Sequence, residues 1–305
     1  MAGNVKERGA ATAPSKAFSL ISDAKLKELY STMFKCRAIR EQAAGLSKQN
    51  EARDKDSRFG LPEATVAGTT IDLRLGDWVA PCEGDLTAAF VKGISLNSIL
   101  DAVSGDAPAG ALLHATRNVL RPTLSASAKM NIAIGIGLAN RASKAGNVAL
   151  VFSHAKATSG KHWREAASFA SKNALPILFV VYEKDADDSK GGKKHKKQRK
   201  RDPQDDSYGF PVIPVDANDV VAMYRVAHES IQKARQGRGP TLIEARAFRS
   251  GKRHRKRDAD GGKSDDAIVK MEEYLTGKGL FMAAWKQKFA EQFQRDLDVA
   301  IEAAK

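Results

Sequence analysis

Two continuous apolar runs constrain the fold most strongly, at residues 147–152 (NVALVF) and 176–182 (PILFVVY). Runs of this length and composition are typical of strands buried on both faces. A helical pattern at residues 161–172 separates them. The alternation continues with a strand, a helix and a strand at residues 212–215, 218–236 and 241–248. Because parallel strands need crossover connections, the pattern predicts an α/β fold with a parallel sheet and helices on both faces.

Helical patterns also flank this alternating region. They are predicted at residues 22–49, 63–73, 95–103, 127–144, 265–277 and 281–304, with an extended piece at 77–81. The first forms an N-terminal helical extension and the last two form a C-terminal helical pair. A chain of 305 residues with 42% apolar content can build a core without a disulfide or a metal. We therefore predict a flexible tail at residues 1–18 and a single domain at 19–305.

The cysteines and the apolar runs bear on the compartment. Cys36 and Cys82 are the only two cysteines, and no secretory leader pattern opens the sequence. This composition predicts a cytoplasmic protein. No apolar run approaches the roughly 18 residues of a membrane span, so the sequence predicts no membrane protein.

The formal charge of +14 is concentrated in two segments. Residues 190–201 hold eight Lys or Arg and residues 246–257 hold seven, and neither window contains an acid. Without these fifteen cations, 35 basic residues stand against 36 acidic ones. We therefore predict a nearly neutral globule that carries two basic loops, at residues 185–207 and 249–264.

Several segments, taken in order, resemble the alpha subunit of the thiamine-diphosphate-dependent 2-oxoacid dehydrogenases of the pyruvate type. They are residues 29–41 (LYSTMFKCRAIRE), 76–81 (GDWVAP), 157–159 with 165–170 (ATS, EAASFA), 175–181 (LPILFVV), 208–211 (YGFP), 215–219 (VDAND) and 239–244 (GPTLIE). The resemblance implies the thiamine-diphosphate-binding fold, with the cofactor held between an alpha and a beta chain. It also implies a divalent metal, usually Mg²⁺, that anchors the diphosphate through a carboxylate, an amide oxygen and a backbone carbonyl of the alpha chain.

The family's metal-binding G-D-G motif is changed in this sequence. Aligned without gaps, it falls on His154, Ala155 and Lys156, so that a methyl group replaces the metal-binding carboxylate. An alignment shifted by one residue places His154 at that position instead. Imidazole favours Zn, Cu, Fe or Ni over Mg²⁺ and adds no negative charge. Both registers therefore predict a site without its oxygen anion.

Three further family positions have changed as well. The N-N pair falls on Glu183 and Lys184, which replace an amide by a carboxylate beside an ammonium. The Tyr-Arg pair that would hold the diphosphate falls on Glu83 and Gly84, which bring a negative charge and no donor fork. The family's histidine-bearing loop corresponds to a basic run in which His254 could be that histidine displaced by one position, although five cations surround it.

The sequence therefore predicts no catalytic residue, no metal and no bound cofactor. We expect an inactive homologue of the alpha subunit, a structural or regulatory chain that pairs with a beta-type subunit or with itself. The first alternative is an active alpha subunit that binds thiamine diphosphate and Mg²⁺ and supports oxidative decarboxylation with a beta partner. The second is a protein that binds nucleic acid or an acidic partner through its basic loops, although those loops lack the interleaved aromatics that stack on bases.

The second alternative predicts binding that depends on salt. Neutralising the fifteen Lys and Arg of residues 190–201 and 246–257 should abolish binding to DNA or RNA, and wild-type affinity should fall steeply with rising salt because counterion release drives such binding. Fluorescence anisotropy at several salt concentrations measures both effects. If the neutralised variant still bound DNA or RNA, the basic segments would not be the cause of the binding.

Overall fold

The structure is a computed structural model and describes residues 21–47, 60–104, 118–122, 124–158, 160–183, 208–247 and 266–303. In chain order its elements are α1 (Asp23–Ser47), α2 (Glu63–Thr70), β1 (Trp78–Ala80), α3 (Thr87–Val91), α4 (Leu96–Ser104), α5 (Ala126–Ser143), β2 (Ala149–His154), the 3₁₀ helix Ala155–Thr158, α6 (Lys161–Lys172), β3 (Ile177–Glu183), β4 (Val212–Asp216), α7 (Val220–Arg235), β5 (Thr241–Arg246), α8 (Ala267–Gly277) and α9 (Ala283–Ala303). The predicted tail, both predicted basic loops, Lys184 and His254 lie outside the described residues.

The five strands form one sheet in the order β1-β2-β3-β5-β4, and every neighbouring pair is parallel. In register, Ala149 of β2 lies opposite Ile177 of β3, and Leu178 of β3 lies opposite Thr241 of β5. Since all five strands run in one direction, their carboxyl ends share one edge. The structure thus confirms the predicted parallel sheet.

Alternate residues of the central strands pack against helices on opposite faces of the sheet. Leu150 and Phe152 join a core with residues of α2 and α7 on one face. Val151 and Phe179 join a second core with residues of α5 and α6 on the other. Because both faces are covered, the strands read as continuous apolar runs in the sequence. This arrangement confirms the prediction of helices on both faces.

Helix α2 lies between α1 and α7, and all eight of its residues are buried. Gly68 is the point of closest approach to α7, where an added Cβ would lie 2.9 Å from Cβ of Met223. A glycine therefore lets the two backbones approach more closely than alanine allows.

The N-terminal helix and the C-terminal helical pair pack together around an aromatic group. Tyr30 of α1 is fully buried, and its ring lies 5.5 to 5.9 Å from those of Phe281, Trp285 and Phe289. Its hydroxyl donates to Glu272 Oε1 of α8 at 2.5 Å. These contacts explain why α1, α8 and α9 form one layer outside the sheet. None of the described helices is long and apolar enough to cross a membrane.

A buried ion pair joins the starts of β1 and β2 to the end of α7. The guanidinium of Arg235 donates to both carboxylate oxygens of Asp77, at 2.8 and 2.6 Å, and the two side chains are 7% and 0% exposed. Asp77 also accepts from the backbone N–H groups of Val148 and Arg74, at 2.9 and 2.6 Å. Because the carboxylate is bound from all sides, loss of its charge leaves Arg235 buried and unpaired.

Asp77→Asn should therefore lower the free energy of unfolding by about 3 to 5 kcal/mol, the usual cost of breaking a buried pair. Urea unfolding measures the change. The matched control is Glu165→Gln, which breaks the exposed Lys161–Glu165 pair and should cost less than about 1 kcal/mol. Equal losses in the two variants would contradict a structural role for the Asp77–Arg235 pair.

Candidate functional site

Six of the residues predicted from the resemblance lie at the carboxyl-end edge of the sheet or in the segments that follow its strands. His154 and Glu183 end β2 and β3, and Ala155 opens the 3₁₀ helix that follows β2. Glu83 and Gly84 lie in the turn after β1. Together with Lys129, described next, these residues are called the carboxyl-end site. Lys156 follows Ala155 and is exposed, whereas Lys184 and His254 fall outside the described ranges.

Lys129, in the first turns of α5, is a buried cation that the sequence analysis missed. Only 3% of the residue is exposed, and its Nζ donates to the carbonyl oxygens of Pro81 at 2.8 Å and Phe152 at 3.0 Å. Pro81 directly follows β1, and Phe152 lies two residues before the end of β2. Lysine is almost never fully buried unless its charge is bound. The ammonium therefore joins the carboxyl ends of two strands through neutral acceptors.

The position of Lys129 follows from its helical spacing. Lys129, Ala133 and Gly137 are separated by four residues each, and all three are buried on the face of α5 that packs on the sheet. Residues at this spacing lie on one face of a helix. The sequence pattern could have indicated a buried lysine here, but not the carbonyl oxygens that accept from it.

His154 lies close enough to Lys129 for their charges to interact. Burial of the imidazole lowers the pKa of His154 below its ordinary value of 6.5, and the positive charge of Lys129 lowers it further, against the opposing effect of Asp85 and Glu83. The His154 ring centroid is 6.1 Å from that of Tyr182 on the neighbouring strand. A neutral imidazole is therefore favoured at neutral pH.

Burial lowers the pKa of the Lys129 amine, while Cys82 and Glu83 act to raise it. Burial has the opposite effect on the Cys82 thiol and raises its pKa to about 11. Cys82 therefore remains a protonated, unreactive thiol at neutral pH, since the thiolate is the nucleophilic form. We assign no nucleophile to this position.

Ala155 brings no polar side-chain atom to the site. Its methyl group packs against the apolar core that contains Val151 and Trp163. The position that the resemblance assigns to a metal-binding carboxylate is thus part of an apolar contact. No oxygen ligand for a cation comes from this side chain.

The carboxylate of Glu183 faces an arginine. Arg246, at the end of β5, places Nε 3.9 Å from Glu183 and donates from Nη2 to Glu244 at 2.6 Å. A guanidinium already lies beside the carboxylate that could contact a dication here. The guanidinium is shared between two carboxylates, and Glu244 is the closer of them, so it offsets the charge of Glu183 only in part.

Glu83 and Gly84 form an exposed turn in which Gly84 adopts a left-handed conformation, with φ of 74°. The neighbouring carboxylate, Asp85, is 4% exposed and accepts from the backbone N–H groups of Leu61 at 2.7 Å and Thr87 at 2.8 Å. Asp85 thus holds the start of α3 against the chain before α2. Neither the role of Asp85 nor helix α3 was predicted from the sequence.

Removal of the Lys129 charge should raise the pKa of His154. Lys129→Met keeps an unbranched buried side chain but removes the ammonium, so the imidazole should take up a proton at higher pH. NMR titration of the His154 ring measures the shift. The control Lys161→Met changes an exposed lysine at the start of α6 and should leave the His154 titration unchanged. A titration unaffected by Lys129→Met would contradict the proximity of the two groups.

Comparison with known proteins covers every residue of this site. A family model described as "Dehydrogenase E1 component" matches residues 31–305. The "Pyruvate dehydrogenase E1 component subunit alpha" of Acholeplasma laidlawii is 24% identical over 246 residues, which are 77% of this chain and 71% of that protein. The "3-methyl-2-oxobutanoate dehydrogenase subunit alpha" of Mycobacterium tuberculosis is 28% identical over 293 residues, which are 93% of this chain and 78% of that protein.

The fold is also similar to that of a solved structure. A transketolase mutant from Pichia stipitis aligns over 93% of this chain with a TM-score of 0.51 and 13% sequence identity. This chain spans 45% of the transketolase chain. At this identity the likeness concerns the fold alone.

Proposed function

This chain belongs to the dehydrogenase E1 component family, and we propose that it is an alpha-type subunit that has lost thiamine diphosphate and Mg²⁺ binding. It then acts as a non-catalytic, structural or regulatory chain. The buried ammonium of Lys129 at the carboxyl-end site is the observation that carries this proposal. The residues of that site do not fit the metal and diphosphate that the resemblance implies.

A bound dication requires negatively charged or neutral oxygen ligands around it. Mg²⁺ takes near-octahedral oxygen ligands, with one or two carboxylates among them. At the carboxyl-end site, Lys129 instead supplies a positive charge and occupies the carbonyl oxygens of Pro81 and Phe152. A metal ion held nearby would be repelled by that charge.

The other positions support the same conclusion. Ala155 contributes a methyl group, and Glu183 lies beside the guanidinium of Arg246. Glu83 is an exposed carboxylate in the turn where the resemblance expects donors to a phosphate. Carboxylates repel a diphosphate, whereas Arg and Tyr side chains donate to it. Among these side chains the diphosphate therefore has no donor, and a metal ion has only the carboxylates of Glu83 and Glu183, since Ala155 supplies no oxygen.

The proposed role requires a partner chain. Both relatives described above are named as alpha subunits, which supports a beta-type subunit as the partner, with a second copy of this chain as the other possibility. Exposed apolar side chains on α5 and α6, namely Ile132, Leu138 and Phe169, supply surface for such a contact. Free, buried Cys36 and Cys82 support a reducing compartment, and we propose the cytoplasm.

An active alpha subunit is the alternative function. Its support is the match to two dehydrogenase alpha subunits over 77% and 93% of this chain. Under this alternative, thiamine diphosphate and Mg²⁺ bind together with a beta-type partner. The changes at Ala155, Glu183 and Glu83 then have to be compensated by groups outside the described residues or on the partner.

The amount of bound thiamine diphosphate distinguishes a non-catalytic chain from an active alpha subunit. When the tagged chain is purified from its native host, a beta-type subunit should accompany it. The preparation should hold far less than one thiamine diphosphate per chain. Mass spectrometry identifies the partner, and chromatography after acid release measures the cofactor. One thiamine diphosphate per chain would support the alternative.

Thermal unfolding gives an independent test of the same proposal. A ligand that binds only the folded state raises the melting temperature with its concentration. Thiamine diphosphate with Mg²⁺ should raise it no more than inorganic pyrophosphate with Mg²⁺ does, because the pyrophosphate control accounts for unspecific binding to the basic segments. A saturable rise specific to thiamine diphosphate would overturn the loss of binding.

A further inference from the structure

A cleft of 270 Å³ lies at the amino-terminal edge of the sheet, opposite the carboxyl-end site. It is bounded by the ends of α5 and α7 and by the segments that lead into β2 and β3. The lining side chains that concern its chemistry are Asn140, Arg141, Lys144, Asn147, Arg235 and Gln236. All six carry nitrogen donors, and within the part of the chain that the structure describes no Asp or Glu lines the cleft.

The charge of the cleft comes from two exposed cations. Arg235 is neutralised by its bidentate ion pair with Asp77. Arg141 and Lys144, at the end of α5, are exposed and have no acidic neighbour in the lining. The cleft therefore has a net positive character that favours an anion.

Two buried donors in the lining residues have no hydrogen-bond partner among the described residues. They are Nδ2 of Asn140 and Nε of Arg235. Buried polar atoms are nearly always hydrogen-bonded, and an unsatisfied one costs about 1 to 3 kcal/mol. Both atoms are donors with no surface open to the cleft, so an acceptor bound in the cleft completes them only after the side chains of Asn140 and Arg235 shift.

The ends of α5 and α7 could oppose an anion, because the carbonyls at a helix C-terminus carry partial negative charge. In this structure several of those carbonyls are already bound. Ala234 O accepts from Gly237 N at 2.9 Å, Gln232 O from Gln236 N at 3.2 Å, and Asn140 O from Ser143 Oγ at 3.1 Å. Their repulsion of an anion is thus reduced.

Two other clefts lack this combination. The one along α6 contains Glu165 among its lysines and arginines, and the one beside α8 is lined by Asp216, Asp219 and Glu273. Each brings carboxylates to its surface. Of these three clefts, the one at the amino-terminal edge alone joins two cations with unsatisfied buried donors.

We propose that this cleft binds the anionic oxygens of a small metabolite, which belong to a phosphate or a carboxylate group. Arg141 and Lys144 supply the charge, and the amides of Asn140 and Asn147 donate to its oxygens. The cleft lies at the opposite edge of the sheet from the carboxyl-end site, so this proposal does not depend on whether the chain binds thiamine diphosphate.

The proposal is tested by calorimetric titration of the full-length chain with inorganic phosphate and, separately, with citrate. All titrations use a background in which the Lys and Arg of residues 190–201 and 252–257 are neutralised, because those segments would bind anions unspecifically. We expect saturable binding of at least one probe. The preferred probe identifies the group, phosphate or carboxylate.

Arg141→Ala with Lys144→Ala should weaken that binding about tenfold or more, because both charges are removed while the buried ion pair is kept. The matched control is Arg164→Ala with Lys172→Ala on α6, which removes the same charge and should leave the affinity unchanged. The side-chain amide resonances of Asn140 should also shift on titration. The proposal is overturned if neither probe binds, if both double variants bind alike, or if Asn140 does not respond.

Discussion

A buried ammonium group held by backbone carbonyls determines what the carboxyl-end edge of this sheet can bind. Lys129 donates to Pro81 O and Phe152 O, so that the cation joins two neighbouring strands with no carboxylate acceptor in the contact. Its charge reaches His154 and Cys82 as well. Since the parallel sheet gathers the ends of β1, β2 and β3 at one edge, the charge of Lys129 acts there together with the carboxylates of Glu83 and Asp85.

Buried charges are stabilised in different ways at the two edges of the sheet. At the amino-terminal edge, Asp77 and Arg235 neutralise each other and fasten β1, β2 and α7. At the carboxyl-terminal edge, Lys129 is bound by dipoles alone, and its burial lowers its pKa. The first arrangement stabilises the fold through a close pair of charges. In the second, no carboxylate among the described residues is hydrogen-bonded to the ammonium, and Glu83 acts on it only from a distance.

Most of the architecture could be predicted because the signals are local. The apolar runs of β2 and β3 and the helical pattern of α6 follow from short-range periodicity, and the structure agrees with them within about two residues. Helix α3 was missed because five residues, TAAFV, give no period, and its start depends on Asp85 binding Leu61 across the chain. The single domain at residues 19–305 stays a prediction.

The site could be predicted only in part, because its contacts join residues that are far apart in the sequence. The changed motif positions, such as Ala155 and Glu183, could be read from the sequence, and the parallel topology places them at one edge. The partner of Glu183, Arg246, comes from a strand 63 positions further along the chain and was not predicted. The contacts of Lys129 likewise join residues 48 and 23 positions apart. Such pairings depend on the tertiary fold and leave no mark in local sequence.

The most direct test of the account is a crystal structure of the chain grown with thiamine diphosphate and Mg²⁺ at saturating concentration. The account predicts that Nζ of Lys129 remains bound to the carbonyls of Pro81 and Phe152, with no ordered diphosphate or metal beside Ala155. Ordered density for both, with the ammonium displaced or a new set of oxygen ligands around the ion, would contradict it.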